Sequence, residues 1–435
     1  MDTPRVAGTP VVALLVAALW VTACAGPPAF HGTPYAPPPD GRRIDMAAAT
    51  ELGRAAFFDP GLSASGRTAC ASCHDPRFAY GPPNDLSVQW AGSDGRSAGS
   101  RAAPSLRYLQ TLPPFTEHHF DNDGDDSIDA GPTGGHTWDG RAGSLHEQAR
   151  LPLLSPVEMA NASATDVVRR LQQGPLAERF RSVFGADVFG SDERALQALL
   201  MALEVFQQSP RDFYPYSSRY DEVLRGRATL NEREARGLAL FNDPAKGNCA
   251  SCHLSERTPD GAFPLFTDFG LIALGVPRHP GLPANADPAF HDLGLCGPYR
   301  THLHERSDYC GLFRTPTLRN VAVRRSFFHN GVLHSLDEVL RFYARRDTHP
   351  GEFYPRDAAG VVRKFDDLPA RYHANVNLDP PFDRRPGDAP ALDDGEIADV
   401  IAFLHTLTDA DLPNPAHTAG GATSGAASRA APGRR

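Results

Sequence analysis

Methionine is nearly absent from this 435-residue chain: four occur, at positions 1, 46, 159 and 201, and none follows Met201. No thioether sulfur of methionine is therefore available to a site built in the C-terminal half. Long apolar runs are missing as well. The stretch from Val11 to Val21 falls short of the ~20 residues that cross a bilayer. Strand-like alternation is scarce, which argues against an all-β fold. There is no basic run, and a net charge of −9 repels phosphate backbones, so nucleic acid is excluded as a partner. What remains is a chain with 41% hydrophobic residues, long enough for two or three domains and a sizeable core.

Arg5 precedes the Val11–Val21 run, which meets Thr22-Ala23-Cys24 in the order of a signal peptide rather than a membrane span. Val21-Thr22-Ala23-Cys24 resembles a bacterial lipobox, which would make Cys24 the lipidated first residue of the mature protein. Ordinary cleavage nearby, giving a soluble periplasmic protein, is the alternative. Both readings export the chain to the periplasm, with membrane contact only through a lipid anchor.

Two pentapeptides dominate the rest: Cys70-Ala71-Ser72-Cys73-His74 and Cys249-Ala250-Ser251-Cys252-His253. C-x-x-C-H is the attachment signature of c-type haem, in which two thiols add to the porphyrin vinyl groups and the histidine becomes an axial iron ligand. A zinc site would want paired Cys/His clusters close in sequence, and a thioredoxin-like pair needs no following histidine. Two covalently bound haem c groups are expected. Of seven cysteines, Cys296 and Cys310 are left over, and in an oxidising compartment they suggest a disulfide, worth roughly 3 kcal/mol by loop entropy; two buried free thiols are the other reading.

Helical periodicity covers Met46 to Phe58, ending at Asp59-Pro60 before the first motif, and Asn231 to Phe241, ending at Asp243-Pro244 before the second. Further helical patterns run over residues 163–184, 193–207, 336–343 and 395–407. The expected class is mainly α, with two c-type cytochrome domains, one haem each, joined by long irregular loops such as 81–114 and 258–299. The expected division is a signal peptide (1–23), a flexible Pro/Gly-rich tether (24–45), an N-terminal haem domain (46–225), a C-terminal haem domain (226–412) and a disordered tail (413–435).

Trp138-Asp139-Gly140-Arg141, Gln148, Pro152, Glu158-Met159 and Thr315-Pro316-Thr317-Leu318-Arg319-Asn320 before His329-Asn330-Gly331 complete the pattern. With the two haem motifs, residues 46–410 resemble the bacterial di-haem cytochrome c peroxidases and their relative MauG. The resemblance implies that the N-terminal haem domain is peroxidatic and the C-terminal one transfers electrons, and that Trp138 relays electrons between the haems. It makes Glu158, twenty residues later, the acid/base catalyst over the first haem, with Gln148 and Pro152 lining its pocket. A distal carboxyl can shuttle the proton that peroxide cleavage needs. A glutamate at a helix start and a core tryptophan are the structural alternatives.

The family's histidine sixteen residues after the first haem histidine is Trp90 here, so the first haem is expected to be open unless His118, His119 or His136 caps it. The family's calcium-ligating asparagine is replaced in Arg101-Ala102-Ala103-Pro104, leaving carbonyls near Arg324 and Ser326 as the remaining candidates for calcium. The acidic run Asp121 to Asp129 lacks the glycine and closing glutamate of an EF-hand loop and reads equally as a solvated turn. The resemblance also points to Tyr343, fourteen residues beyond His329, as the sixth ligand of the second haem, where peroxidases carry methionine and MauG carries tyrosine; the alternative is a buried helix tyrosine with His334 or water on the iron. The expected function is reduction of hydrogen peroxide to water with electrons from a small redox protein, a cytochrome c or cupredoxin. A MauG-like enzyme that uses high-valent iron to oxidise residues of a partner protein, and a non-catalytic electron carrier, are the rivals.

Overall fold

The computed structural model describes residues 43–118 and 131–413. The signal peptide, Cys24, most of the tether, His119, the acidic run and the tail beyond Pro413 lie outside the described residues. Within them the fold is mainly helical. Eleven α-helices are present: α1 (Met46–Phe57), α2 (Cys70–Cys73), α3 (Leu145–Leu154), α4 (Ala164–Gln173), α5 (Ala177–Phe184), α6 (Asp192–Gln207), α7 (Pro210–Phe213), α8 (Arg219–Leu224), α9 (Glu232–Asn242), α10 (Leu336–Arg345) and α11 (Asp394–His405). Four two-residue strands form two antiparallel pairs, β1 (Trp90–Ala91) with β2 (Ser97–Ala98) and β3 (Leu271–Ile272) with β4 (Phe313–Arg314). None of the described helices is long and apolar enough to cross a membrane.

Side-chain caps set several of the helix starts. Asp45 accepts from the Ala47 amide at 2.9 Å to open α1. At α9, Asn231 and Glu234 exchange hydrogen bonds of 2.9 and 2.8 Å in a capping box. The single helix expected over 163–184 is instead two, α4 and α5. Pro175 lacks an N–H and its ring would clash with the carbonyl one turn earlier, so the chain breaks after Gly174. Helix α3 escaped the periodicity reading, although Ser144, which accepts from the Glu147 amide at 3.1 Å, marks its start.

Two helix crossings organise the molecule. A Cβ at Gly53 of α1 would lie 1.8 Å from the Ala202 carbonyl oxygen of α6, so only glycine permits this approach. Gly237 of α9 meets the Asp399 carbonyl of α11 in the same way, at 2.0 Å. Four residues beyond each glycine stands a buried phenylalanine, Phe57 or Phe241. Around the first crossing gather Leu52, Phe57, Phe180, Leu199 and Phe206; around the second, Phe241, Phe266, Val400, Phe403 and Leu404. Burying one such aromatic contributes about 2–3 kcal/mol.

The two cores belong to one compact unit. Asp409 is buried at their seam, where it accepts from Arg107 Nη1 (2.9 Å), the Tyr108 hydroxyl (2.6 Å) and Asn320 Nδ2 (2.7 Å). Three donors, one of them a cation, offset the cost of burying the carboxylate. A third cluster, around Leu295, Leu303 and Tyr309, contains the bonded pair Cys296 and Cys310, with sulfurs 2.07 Å apart.

Candidate functional site

Each C-x-x-C-H motif forms one tight turn and orients its histidine by a backbone carbonyl. Ser72 Oγ accepts from the Ala69 amide at 3.0 Å, and the His74 amide donates to Cys70 O at 3.0 Å. His74 Nδ1 lies 2.9 Å from Tyr80 O, and His253 Nδ1 lies 2.9 Å from Phe266 O. A carbonyl oxygen only accepts, so Nδ1 carries the proton in both rings and Nε2 keeps a free lone pair. Each histidine lines a cavity together with the two cysteines of its own motif. Burial pushes the thiols of Cys70, Cys73 and Cys249 up to about 12 and raises that of Cys252. Among the described residues no three metal-ligating side chains gather at either motif, as a thiolate–metal site requires, and paired sulfurs at an apolar wall suit neutral thioethers. The residues present therefore fit covalently held haem at both motifs.

The first cavity, of about 70 Å³, is roofed by α3 and the turn that follows. Gln148 and Pro152, four residues apart, share one face of α3 and both line it. Glu158 lines it too, from a turn in which its amide donates to Ser155 O at 3.1 Å and Ala160 takes a positive φ of 57°. The carboxyl opens onto the cavity and is reached by solvent there. Protein crowds it closely enough that burial is the largest influence on its proton affinity and raises it, against the pull of the Ser155 hydroxyl and the Arg141 charge. His74 is the only histidine lining this cavity among the described residues. Trp90 is 51% exposed on β1, and neither His118 nor His136 lines either cavity.

The second cavity is larger, about 200 Å³, and Tyr343 of α10 lines it with Cys249, Cys252 and His253. The phenol is flanked by Phe382 at 5.4 Å, Phe342 at 6.1 Å and Phe328 at 6.2 Å between ring centroids. Its hydroxyl has no hydrogen-bond partner among the described residues, and burial, then the neighbouring thiols, raise its proton affinity. His334 is exposed, with Nδ1 3.1 Å from Arg325 O, and does not line the cavity.

Trp138 stands where the two sites meet. Its ring lines the second cavity, while Nε1 donates at 2.8 Å to Ala102 O. Two residues on, Pro104 lines the same cavity and presents its carbonyl to His74. Behind this segment, Arg324 Nη2 donates to Ala103 O at 3.3 Å and Ser326 O at 3.1 Å. A guanidinium therefore already occupies Ser326 O, one of the positions considered for calcium.

A profile of the di-haem cytochrome c peroxidase family matches residues 47–229. The chain is 33% identical to the methylamine utilization protein MauG of Paracoccus denitrificans over 374 residues, 85% of this chain and 90% of that protein. It is 28% identical to the cytochrome c551 peroxidase of Nitrosomonas europaea over 313 residues, 69% of this chain and 73% of the relative. Among solved structures, the diheme peroxidase BthA of Burkholderia thailandensis superposes with a TM-score of 0.73 at 40% identity, covering 88% of this chain and 90% of that one. The chain belongs to the di-haem cytochrome c peroxidase family, which includes MauG. Its members are haem-dependent oxidoreductases, and those similar to this chain bear both peroxidase and MauG names.

Proposed function

We propose that this chain is a two-domain di-haem enzyme that reduces hydrogen peroxide to water at the His74 site, with electrons delivered through the His253 site by a small redox protein. The observation that carries the reading is Glu158, a carboxyl of raised proton affinity in the same cavity as His74. Haem, when bound, supplies the vinyl carbons to which the cysteines add and the iron that takes the oxidising equivalents. Peroxide needs two electrons and two protons to become two waters. Glu158 takes a proton from the inner peroxide oxygen and returns it to the outer one, which leaves as water. Gln148, one helical turn before Pro152, orients the small substrate through its amide. Peroxide consumption by haem-loaded protein, compared between wild type and Glu158→Gln, tests the assignment, and an unchanged rate would support a plain electron carrier.

Trp138, bonded to the segment that touches His74 and lining the other cavity, serves as the relay between sites. Tyr343 would supply a further protein ligand to the haem held at Cys249, Cys252 and His253, its hydroxyl losing a proton on binding. That residue also favours a second reading, in which the oxidising equivalents pass to residues of a partner protein as the similarity to MauG suggests. Sustained turnover of peroxide with reduced cytochrome c supports the first; negligible turnover together with oxidation of a bound protein supports the second.

Arg324 supplies the positive charge between the halves, so calcium is not required, and chelation with EGTA should leave both haem spectra unchanged. The enzyme acts in the periplasm on a lipid anchor at Cys24. Its retention in the membrane fraction, and its release by Cys24→Ser, tests this.

A further inference from the structure

The second cavity carries more positive charge than its own residues neutralise. Both carboxylates that line it are paired: Asp292 holds Arg101 at 2.6 Å and Asp367 holds Arg278 at 2.8 Å. Of the three arginines that line it, Arg319 is neutralised by Asp221 at 2.9 Å. Arg314 and Arg324 have no carboxylate partner among the described residues. Arg314 is only 5% exposed, with Nε donating to Thr137 O at 3.2 Å and Nη1 without a partner among the described residues. One further buried polar atom on this wall is also unmatched, His329 Nε2, on a ring stacked 3.6 Å over Phe313. Uncompensated buried cations and orphaned polar atoms are each costly, a charge more so than a neutral donor. Burial without an anion pulls both guanidinium groups down to about 10.

We infer that Arg314 Nη1 and His329 Nε2 bind the propionate carboxylates of the haem anchored at Cys249 and Cys252, with Arg324 as the second counter-charge. This rests on the haem reading proposed above. Haem brings two carboxylates on flexible arms, and the cavity offers two unpaired cations and two free polar atoms, so charge and hydrogen bonding close together. Arg314 is a positioning and potential-setting residue: it touches the cofactor's periphery, and its charge favours the reduced iron. The Arg314 amide also donates to Trp138 O at 2.8 Å, which ties the propionate end of the pocket to the relay residue.

The experiment is a redox titration of haem-loaded protein followed by optical and EPR spectra, for wild type, Arg314→Gln and Arg314→Lys, after haem content has been counted by mass. Arg314→Gln should lower the potential of the low-spin haem enough to shift its reduced-to-oxidised ratio at least tenfold at a fixed applied potential, 59 mV for one electron. Arg314→Lys keeps the charge and should stay within threefold of wild type. In both variants the propionate bending band in the resonance Raman spectrum should move, because the forked donor is lost. A ratio within twofold of wild type in Arg314→Gln with an unmoved propionate band overturns the inference. If Arg314→Gln fails to load the second haem, Arg314→Lys decides alone, and an unmoved band there overturns it equally. Absence of haem from the wild-type protein would instead defeat the underlying reading.

Discussion

Gly53 beneath the Ala202 carbonyl and Gly237 beneath the Asp399 carbonyl bring matched residues to the two cavities: Phe57 and Phe241, Leu203 and Val400, Gln207 and Leu404. Up to this level the halves are built alike, and each fixes its histidine by Nδ1 to a carbonyl at 2.9 Å. They part at the opposite wall. The first cavity receives Gln148 and Glu158 from α3 and its following turn. The second receives Tyr343 from α10, set among Phe328, Phe342 and Phe382. One wall can move protons and the other presents a single oxygen donor in apolar surroundings. The motif and its helix crossing thus supply a common holder, and the segments folded back over it decide the chemistry.

Glu158→Gln tests that division most severely. It should reduce the rate of reaction with peroxide by about 10²–10⁴-fold, the range of a lost acid/base group, while the spectrum of the second haem stays as in wild type. Glu158 must be ionised to accept the first proton, and its proton affinity is raised by burial. The wild-type rate should therefore fall on the acid side with a midpoint above the ordinary glutamate range, and this limb should vanish in Glu158→Gln. Stopped-flow kinetics between pH 4 and 8, on the order of the span a shifted carboxyl covers, read both effects.

Breaking the shared scaffold comes next. A Cβ at either crossing glycine would overlap a backbone carbonyl that cannot yield without parting two helices. Gly53→Ala and Gly237→Ala should each cost roughly 3 kcal/mol or more, at the upper end for overpacking, and thermal denaturation should show losses of similar size. A loss at only one crossing would break the equivalence of the halves. Tyr343→Phe is milder still. Removing the phenol oxygen should abolish the six-coordinate signal of the second haem in EPR, yet leave the first reaction with peroxide within tenfold of wild type. A large fall in that first step would mean that the two walls are not chemically independent.

The holders were easier to read from sequence than the walls. Cys70 to His74 and Cys249 to His253 are contiguous, and covalent attachment demands that spacing, so the motif itself states the chemistry. Glu158 and Tyr343 were found through family resemblance, because their proximity to His74 and His253 depends on chain folded back over tens of residues. Arg314 and Arg324 are indistinguishable in sequence from ordinary arginines, since nothing local records that no carboxylate of the described residues comes to meet them. The crossing at Gly53 was equally hidden: a glycine inside a helical pattern reads as a local cost until the partner carbonyl is known. The break at Gly174-Pro175 is legible in the sequence, where apolar periodicity running across 163–184 masks it.

The finest point of the comparison is Gln207 against Leu404. Both occupy the same step beyond the helix crossing and both line their cavities, but Gln207 is 6% exposed and its Oε1 has no partner among the described residues, while Nε2 donates to Leu203 O at 3.3 Å. A buried amide left half unmatched costs about 1–3 kcal/mol, and leucine has a similar volume without that cost. If the amide only filled space, selection for stability would favour the residue found in the other half. Gln207→Leu should therefore make the protein more stable, by about 1 kcal/mol in denaturant unfolding, and should slow the reaction with peroxide severalfold by removing an acceptor from the cavity that contains Glu158. A gain in stability with an unchanged rate would assign the polar character of this cavity to Glu158 and Gln148 alone. A loss of stability would show that the Leu203 hydrogen bond outweighs the unmatched oxygen, and that the two halves differ here in packing rather than in chemistry.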